Sequence, residues 1–92
     1  AMITLNDNDN YDNVPEHIGH MMLHAIAHES DKSVQKLDAN NPRWIVTTRN
    51  VDVRYNADSE VLYVDRRYDD ADAVKARMKV DRIIGELARA IA

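Results

Sequence analysis

The sequence predicts an α+β domain with an N-terminal helix, an antiparallel β-hairpin of two to three strands, and a long C-terminal amphipathic helix packed on the sheet. Three features of the chain predict this class. Apolar residues recur with a helical period in 15–29, β-branched and aromatic residues are frequent in 43–68, and a heptad-like apolar stripe runs through 69–92. Because 92 residues make one domain, we divide the chain into a flexible acidic lead-in at 1–14 and a single α+β domain at 15–92.

The lead-in is rich in asparagine and aspartate. Residues 6–13 read NDNDNYDN, and such side chains form hydrogen bonds with the nearby backbone that favour turns. We expect a short strand at 3–5 before this segment. Asp7 and Asp9 also match the first two ligands of an EF-hand calcium loop, but the segment lacks the glycine and the bidentate glutamate that such a loop requires. The pattern therefore favours a solvated acidic segment over a calcium site.

A first helix is predicted over 15–29. Proline is tolerated in a first helical turn, and Glu16 has the charge that favours a helix N-terminus. The apolar residues of this segment fall on one helical face. We interpret residues 30–31 as a stop and a new cap, and the spacing of Val34 and Leu37 then predicts a short second helical piece that ends at DANNP.

The middle of the chain has the pattern of strands. The valines and the tyrosine of VDVRY, residues 51–55, share one parity, and the turn sequence NADS at 56–59 leads into EVLYV, which predicts a β-hairpin. Trp44 and Val46 have the opposite parity. Either a β-bulge lies near residues 48–50, or the first strand is in fact two strands.

The last helix is predicted over 69–92. Asp69 or Asp70 can cap its N-terminus, and basic residues after the acidic first turn complement the helix dipole. Apolar residues three and four apart form a stripe that must be covered by the sheet, by the first helix or by a second copy. The residues that we assign to this core or dimer seam are Ala76, Val80, Ile83 and Leu87. Since small, alanine-rich domains often gain stability by pairing, we expect a homodimer.

All the histidines of the chain lie in the predicted first helix, at His17, His20, His24 and His28. At about 100° per residue they fall within an arc of roughly 80° that borders the apolar face. Three interpretations stay open: a polar boundary over apolar surface, a contact surface for a second subunit or another protein, and a metal site. Histidines four apart can point at one ion, but further ligands are lacking, and we assign no metal. At an interface, the charge that imidazoles gain below neutral pH would loosen the assembly.

The sequence offers no catalytic constellation. It has no cysteine, its serines fall in predicted turns or caps, and its two glycines, Gly19 and Gly85, lie inside predicted helices rather than in a phosphate-binding loop. A glycine inside a helix indicates close packing against a neighbouring backbone. We therefore predict a protein that is not an enzyme and that uses no cofactor.

The net charge of −4 bears on the choice of partner. An acidic protein is poorly suited to general binding of phosphate backbones, so nucleic acid is not the expected partner. A basic stripe on the last helix keeps a nucleic-acid-binding regulator as an alternative, and its residues are Lys75, Lys79, Arg82 and Arg89. A second alternative is metal binding or a pH response through the histidine-rich helix.

The leading interpretation is a small non-enzymatic binding protein that acts through protein–protein contacts. Compact acidic proteins of this kind are frequent among phage and mobile-element accessory proteins that inhibit or modulate a host nucleic-acid-handling complex. In that interpretation, carboxylates of the chain engage a basic surface of the complex. The residues that we assign to partner binding are Asp7, Asp9, Asp12, Glu16, Asp69, Asp70 and Asp72.

The absence of cysteine favours a cytoplasmic location, since small secreted domains usually depend on disulfides. No apolar run approaches the roughly 20 residues that cross a bilayer, so we expect no membrane partner. No signal-peptide pattern opens the chain, and we expect Met2, behind a single Ala1, to be its natural start.

Overall fold

The computed structural model describes residues 2–91, with only the backbone described at Asn41, so Ala1 and Ala92 of the predicted domain ranges lie outside it. The protein is α+β with a long C-terminal helix packed on an antiparallel sheet, as predicted, and the sheet has six strands. In chain order the elements are β1 (Thr4–Leu5), β2 (Tyr11–Asp12), α1 (Glu16–Glu29), β3 (Gln35–Asp38), β4 (Asn41–Thr47), β5 (Val51–Asn56), β6 (Val61–Arg66) and α2 (Ala71–Ile91).

The sheet is larger than the two to three strands that the sequence predicts. Its strand order is β1-β2-β6-β5-β4-β3, and every neighbouring pair is antiparallel. Strands β3 to β6 form consecutive hairpins, and β1 and β2 extend the sheet beyond β6. The outer strands β1, β2 and β3 have two to four residues each, which is too short for an alternating apolar pattern to show in the sequence.

The segment predicted as a flexible lead-in contributes both β1 and β2 over its described part. The asparagine-rich turn between these strands is held by Asn6, whose side-chain oxygen accepts hydrogen bonds from the backbone N–H groups of Asn8 and Asn10 at 2.9 and 3.1 Å. Tyr11 lies opposite Leu62 in the sheet. Val14 is fully buried in the core. The lead-in is therefore part of the fold, because it extends the sheet beyond β6 and contributes Val14 to the core.

The predicted helical piece through Val34 and Leu37 is wrong, because this region contains the edge strand β3 paired with β4. The first helix ends at a left-handed residue, Asp31, whose φ is 52°. The next N–H, of Lys32, donates a 2.8 Å hydrogen bond to the carbonyl of Ala27, which closes the helix end in a Schellman motif. Asp31 therefore terminates one helix and does not begin another.

The parity conflict in the middle of the chain is explained by two separate strands. β4 ends before Thr48, whose hydroxyl accepts from the Val51 N–H at 3.0 Å and donates to the Val51 carbonyl at 2.8 Å. This tight turn reverses the chain, so Trp44 and Val46 lie on the same face of the sheet as Val53. The alternative with a bulge is not needed.

The core lies between the sheet and the two helices, which pack on one face of the sheet and against each other. Both helices and the sheet contribute fully buried side chains, among them Met22, Leu23, Ile26, Val46, Val53, Tyr55, Leu62 and Ile84. In the predicted core or dimer seam of α2, Val80 and Ile83 are only 5% and 6% exposed, and Ala76 and Leu87 are partly buried against the same core. The seam is covered within a single chain.

Candidate interaction surfaces

The acidic residues that the sequence assigns to partner binding are divided between the two ends of the sheet. Because β2 runs antiparallel to β6, the turn before β2 lies beside the end of β6, where the chain enters α2. Asp9 and Asp69 line one shallow groove of about 490 Å³ at this end. We call this the acidic end, and its residues are Asp7, Asp9, Asp69, Asp70 and Asp72. Asp12 and Glu16 lie toward the start of β6 instead.

The carboxylates of the acidic end differ in how far the fold uses them. The side chain of Asp70 caps α2, because its Oδ1 accepts the Ala73 N–H at 2.8 Å. Asp69 forms a 3.6 Å ion pair with Arg66, yet its side chain stays 96% exposed. Within residues 2–91, three carboxylates of the acidic end make no hydrogen bond or ion pair, and they belong to Asp7, Asp9 and Asp72. These carboxylates are free to meet a partner.

Three arginines also line this groove, and each is paired with a carboxylate of the chain: Arg66 with Asp69, Arg67 with Asp52 and Arg77 with Asp81. Of the three, Arg77 is the one most committed to the fold. Arg77 is only 15% exposed, and its Nε donates to both carboxylate oxygens of Asp81 at 3.0 and 3.1 Å. The same guanidinium donates to the carbonyl oxygens of Val64, at 2.7 Å, and Asp9. Asp81 also accepts a 2.6 Å hydrogen bond from the Tyr11 hydroxyl, and burial together with this carboxylate raises the pKa of Tyr11. This network fastens the lead-in and β6 to α2.

At the opposite end, the remaining two predicted acidic residues have local roles. Asp12 accepts a 3.0 Å hydrogen bond from the side-chain amide of Asn6. Glu16 is exposed in the first turn of α1, where its charge favours the helix N-terminus. Burial raises the pKa of Tyr55 to about 12, and the charges of Glu60 and Glu16 contribute to the same shift. The structure thus does not bring all the predicted carboxylates onto one surface.

The four histidines of α1 differ in how far they are buried. His20 is half-buried, and its ring lies edge-on to Trp44 with 4.3 Å between ring centroids and within 6.4 Å of Tyr55. The other members, His17, His24 and His28, are exposed. In residues 2–91, no three side chains of histidine, cysteine, aspartate or glutamate lie together in a way that could hold a metal ion. His20 therefore acts as a boundary residue that covers the aromatic part of the core.

The predicted basic stripe of α2 is partly neutralised by neighbouring carboxylates. Glu29, at the end of α1, lies 3.8 Å from the Lys79 ammonium and 3.6 Å from the Arg82 guanidinium. Arg82 also pairs with Glu86 at 3.2 Å. These contacts leave less positive charge for a phosphate backbone than the sequence alone indicates.

A further surface was not predicted from the sequence. Side chains that alternate with the buried valines of β4, β5 and β6 point away from the helices, and within residues 2–91 no element packs over them. We call this the uncovered face. At its centre the Arg54 guanidinium pairs with Asp65 at 2.6 Å and lies 5.3 Å from the ring centroid of Tyr63. Beside them is a depression of about 310 Å³, also lined by Leu37 and Arg43.

The chain matches no family model, no curated protein and no solved structure. In the part of the chain that the structure describes, no helix is both long and apolar enough to span a membrane. We therefore infer function from the chemistry of the two surfaces. The acidic end offers exposed charge that can steer a basic partner, and the uncovered face combines tyrosine, arginine and aliphatic groups, which are enriched at protein interfaces.

Proposed function

We propose that this chain is a small non-enzymatic binding protein that acts through protein–protein contacts at its acidic end. The observation that carries the proposal is the meeting of Asp9 and Asp69, which are far apart in the sequence, at one groove whose arginines are already paired with carboxylates of the chain. Asp7 and Asp72 add exposed carboxylates that the fold does not use. These carboxylates break no hydrogen bond or ion pair of the fold when they meet a partner, so they are well suited to steer and orient its basic surface.

The partner that fits this chemistry is a protein surface rich in lysine and arginine, such as one that otherwise binds phosphate groups. Carboxylates held there would compete with nucleic acid for the same cations. The specific form of the proposal is a phage or mobile-element accessory protein of the cytoplasm that inhibits or modulates a host nucleic-acid-handling complex. Size and charge support this form, and it stays a prediction, as does the homodimer.

The experiment is affinity capture from a lysate of the source organism, with matched charge-reversal variants. The test variant combines Asp7→Lys and Asp72→Lys, a turn residue and a residue in the first turn of α2. The control combines Asp58→Lys and Glu16→Lys, a turn residue and a residue in the first turn of α1, away from the acidic end. Both variants change the net charge equally, and both leave the capping residue Asp70 intact.

We expect quantitative mass spectrometry to show a partner with the parent chain and with the control, and its recovery to fall about tenfold or more with the test variant. Equal recovery with both variants would contradict the proposal, and so would an equal loss with both. The two alternatives from the sequence, a nucleic-acid-binding regulator and a metal-binding or pH-responsive protein, stay predictions. The first has less support than the sequence indicates, because Lys79 and Arg82 of the basic stripe are paired with Glu29.

A further inference from the structure

We infer that the uncovered face of the sheet binds a second copy of this chain and forms a two-fold symmetric homodimer. The dimer expected from the sequence was assigned in part to the apolar seam of α2, but that seam is buried within one chain. The acidic end would repel a copy of itself. The uncovered face is the surface whose chemistry suits its own copy.

The charges of the uncovered face are balanced, unlike those of the whole chain. Arg43 lies toward one end of the strands, Asp52 and Asp65 lie toward the other, and Arg54 lies in the middle row between them. Against a net charge of −4 for the chain, strands β4, β5 and β6 give this face two positive and two negative side chains, and Arg67, just after β6, pairs with Asp52 and adds a third positive charge. A second copy can therefore approach the face without the repulsion that the net charge of the chain would cause. In the same middle row, Ile45 and the ring of Tyr63 flank Arg54 on the neighbouring strands and give the face apolar surface to bury.

The register of the strands defines how two copies can meet. Two sheets that pack face to face keep their strands within about 30° of each other. The two-fold axis lies between the two sheets, runs parallel to the strands and passes midway between β4 and β5. Rotation about this axis places β4 of each copy opposite β5 of the other. Registered neighbours then lie opposite each other across the interface, which places Arg54 against Ile45 of the second copy.

The same rotation leaves no like charges face to face along these two strands. Arg43 meets Asn56 of the second copy, and Asp52 meets Thr47 of the second copy, because these residues are registered neighbours within one chain. Each charged side chain is thus opposite an apolar group or a hydrogen-bonding partner. The arrangement also removes water from the Arg54–Asp65 ion pair, which strengthens the attraction between the two charges and adds a desolvation cost.

The test is the mass of the full chain in solution, measured by sedimentation equilibrium and light scattering. At about 100 µM, where a dimer with a micromolar Kd is nearly complete, we expect about 21 kDa, which is 2 × 10.5 kDa. Ile45→Arg places a guanidinium against Arg54 of the second copy and should weaken dimerisation about tenfold or more. Met78→Arg is the control, since Met78 is an exposed apolar residue on α2, away from this face.

A mixing experiment separates loss of the interface from loss of folding. An Ile45→Arg chain is mixed with an equal amount of an Arg54→Glu chain. In the mixed dimer the new arginine lies opposite the new glutamate at one of the two symmetric contacts. We therefore expect the mixture to form a heterodimer at a concentration where Ile45→Arg alone is monomeric. A parent chain that stays at 10.5 kDa throughout would overturn the inference. So would an Ile45→Arg chain that dimerises as well as Met78→Arg, or a mixture of folded variants that stays monomeric.

Discussion

The ring of Tyr55 lies directly over Gly19, in the first part of α1. A Cβ atom added at Gly19 would come within 2.7 Å of three ring carbons, and this ring cannot move easily because its hydroxyl donates a 2.5 Å hydrogen bond to the buried carbonyl of Val14. Gly85 differs, because a Cβ there meets only the flexible guanidinium of Arg89 in the same helix, at 3.3 Å. The sequence predicts close packing for both glycines, but only Gly19 packs against another element.

This difference predicts opposite effects for the same substitution at the two glycines. Gly19→Ala should lower the free energy of unfolding by about 1–3 kcal/mol, since it overpacks the core. Gly85→Ala should raise it by up to about 1 kcal/mol, because alanine favours a helix over glycine. Urea denaturation followed by circular dichroism measures both values. A Gly19→Ala chain as stable as the parent would show that the Tyr55 ring is free to shift.

At the scale of elements, the sequence predicts those whose pattern is long. The 21 residues of α2 and the alternating strands β5 and β6 have enough residues for their periodicity to show. The edge strand β3 was predicted as helix, because four exposed residues, QKLD, have no periodicity of their own and form a strand only by pairing with β4. Pairing partners, not local preferences, decide such short elements.

The junction between elements depends on Arg77, which connects α2 to β6 and to the turn before β2. Arg77→Lys keeps the charge but loses the planar fork that serves three acceptors at once, so we expect the free energy of unfolding to fall by about 1.5–3 kcal/mol. Arg82→Lys is the matched control on the same helix, where exposed ion pairs predict a change below about 1 kcal/mol. Equal effects of the two substitutions in urea denaturation would contradict this role.

At the scale of the whole molecule, the sequence identified acidic residues by type but not which of them share a surface. That grouping follows from the pairing of β2 with β6, which brings Asp9 to Asp69 and separates both from Glu16. The uncovered face depends even more on global structure. Alternation in β5 showed that Arg54 points away from the core, but whether anything covers that side depends on the positions of both helices.

Two phenols fasten the lead-in to the rest of the molecule, and they predict how the fold responds to alkaline pH. Tyr11 donates to Asp81 of α2, and Tyr55 donates to the Val14 carbonyl. In both, the folded state raises the pKa above the ordinary value of 10.0, to about 12 for Tyr55, so folding favours the protonated phenol. The contribution of Tyr55 to stability is therefore complete below pH 10 and is lost as the pH rises through about 12, and that of Tyr11 is lost at higher pH still.

We expect the free energy of unfolding to fall between pH 10 and 12 more steeply than in a Tyr55→Phe chain, which lacks one of these phenols. Tyr63→Phe is the control, because its ring lies on the uncovered face next to Arg54 and its hydroxyl makes no hydrogen bond within residues 2–91. Denaturant titrations at closely spaced pH values, with tyrosinate absorbance recorded in parallel, measure the slope. A slope unchanged by Tyr55→Phe would mean that the buried phenol titrates as it does in the unfolded chain, and that Val14 is held by packing alone.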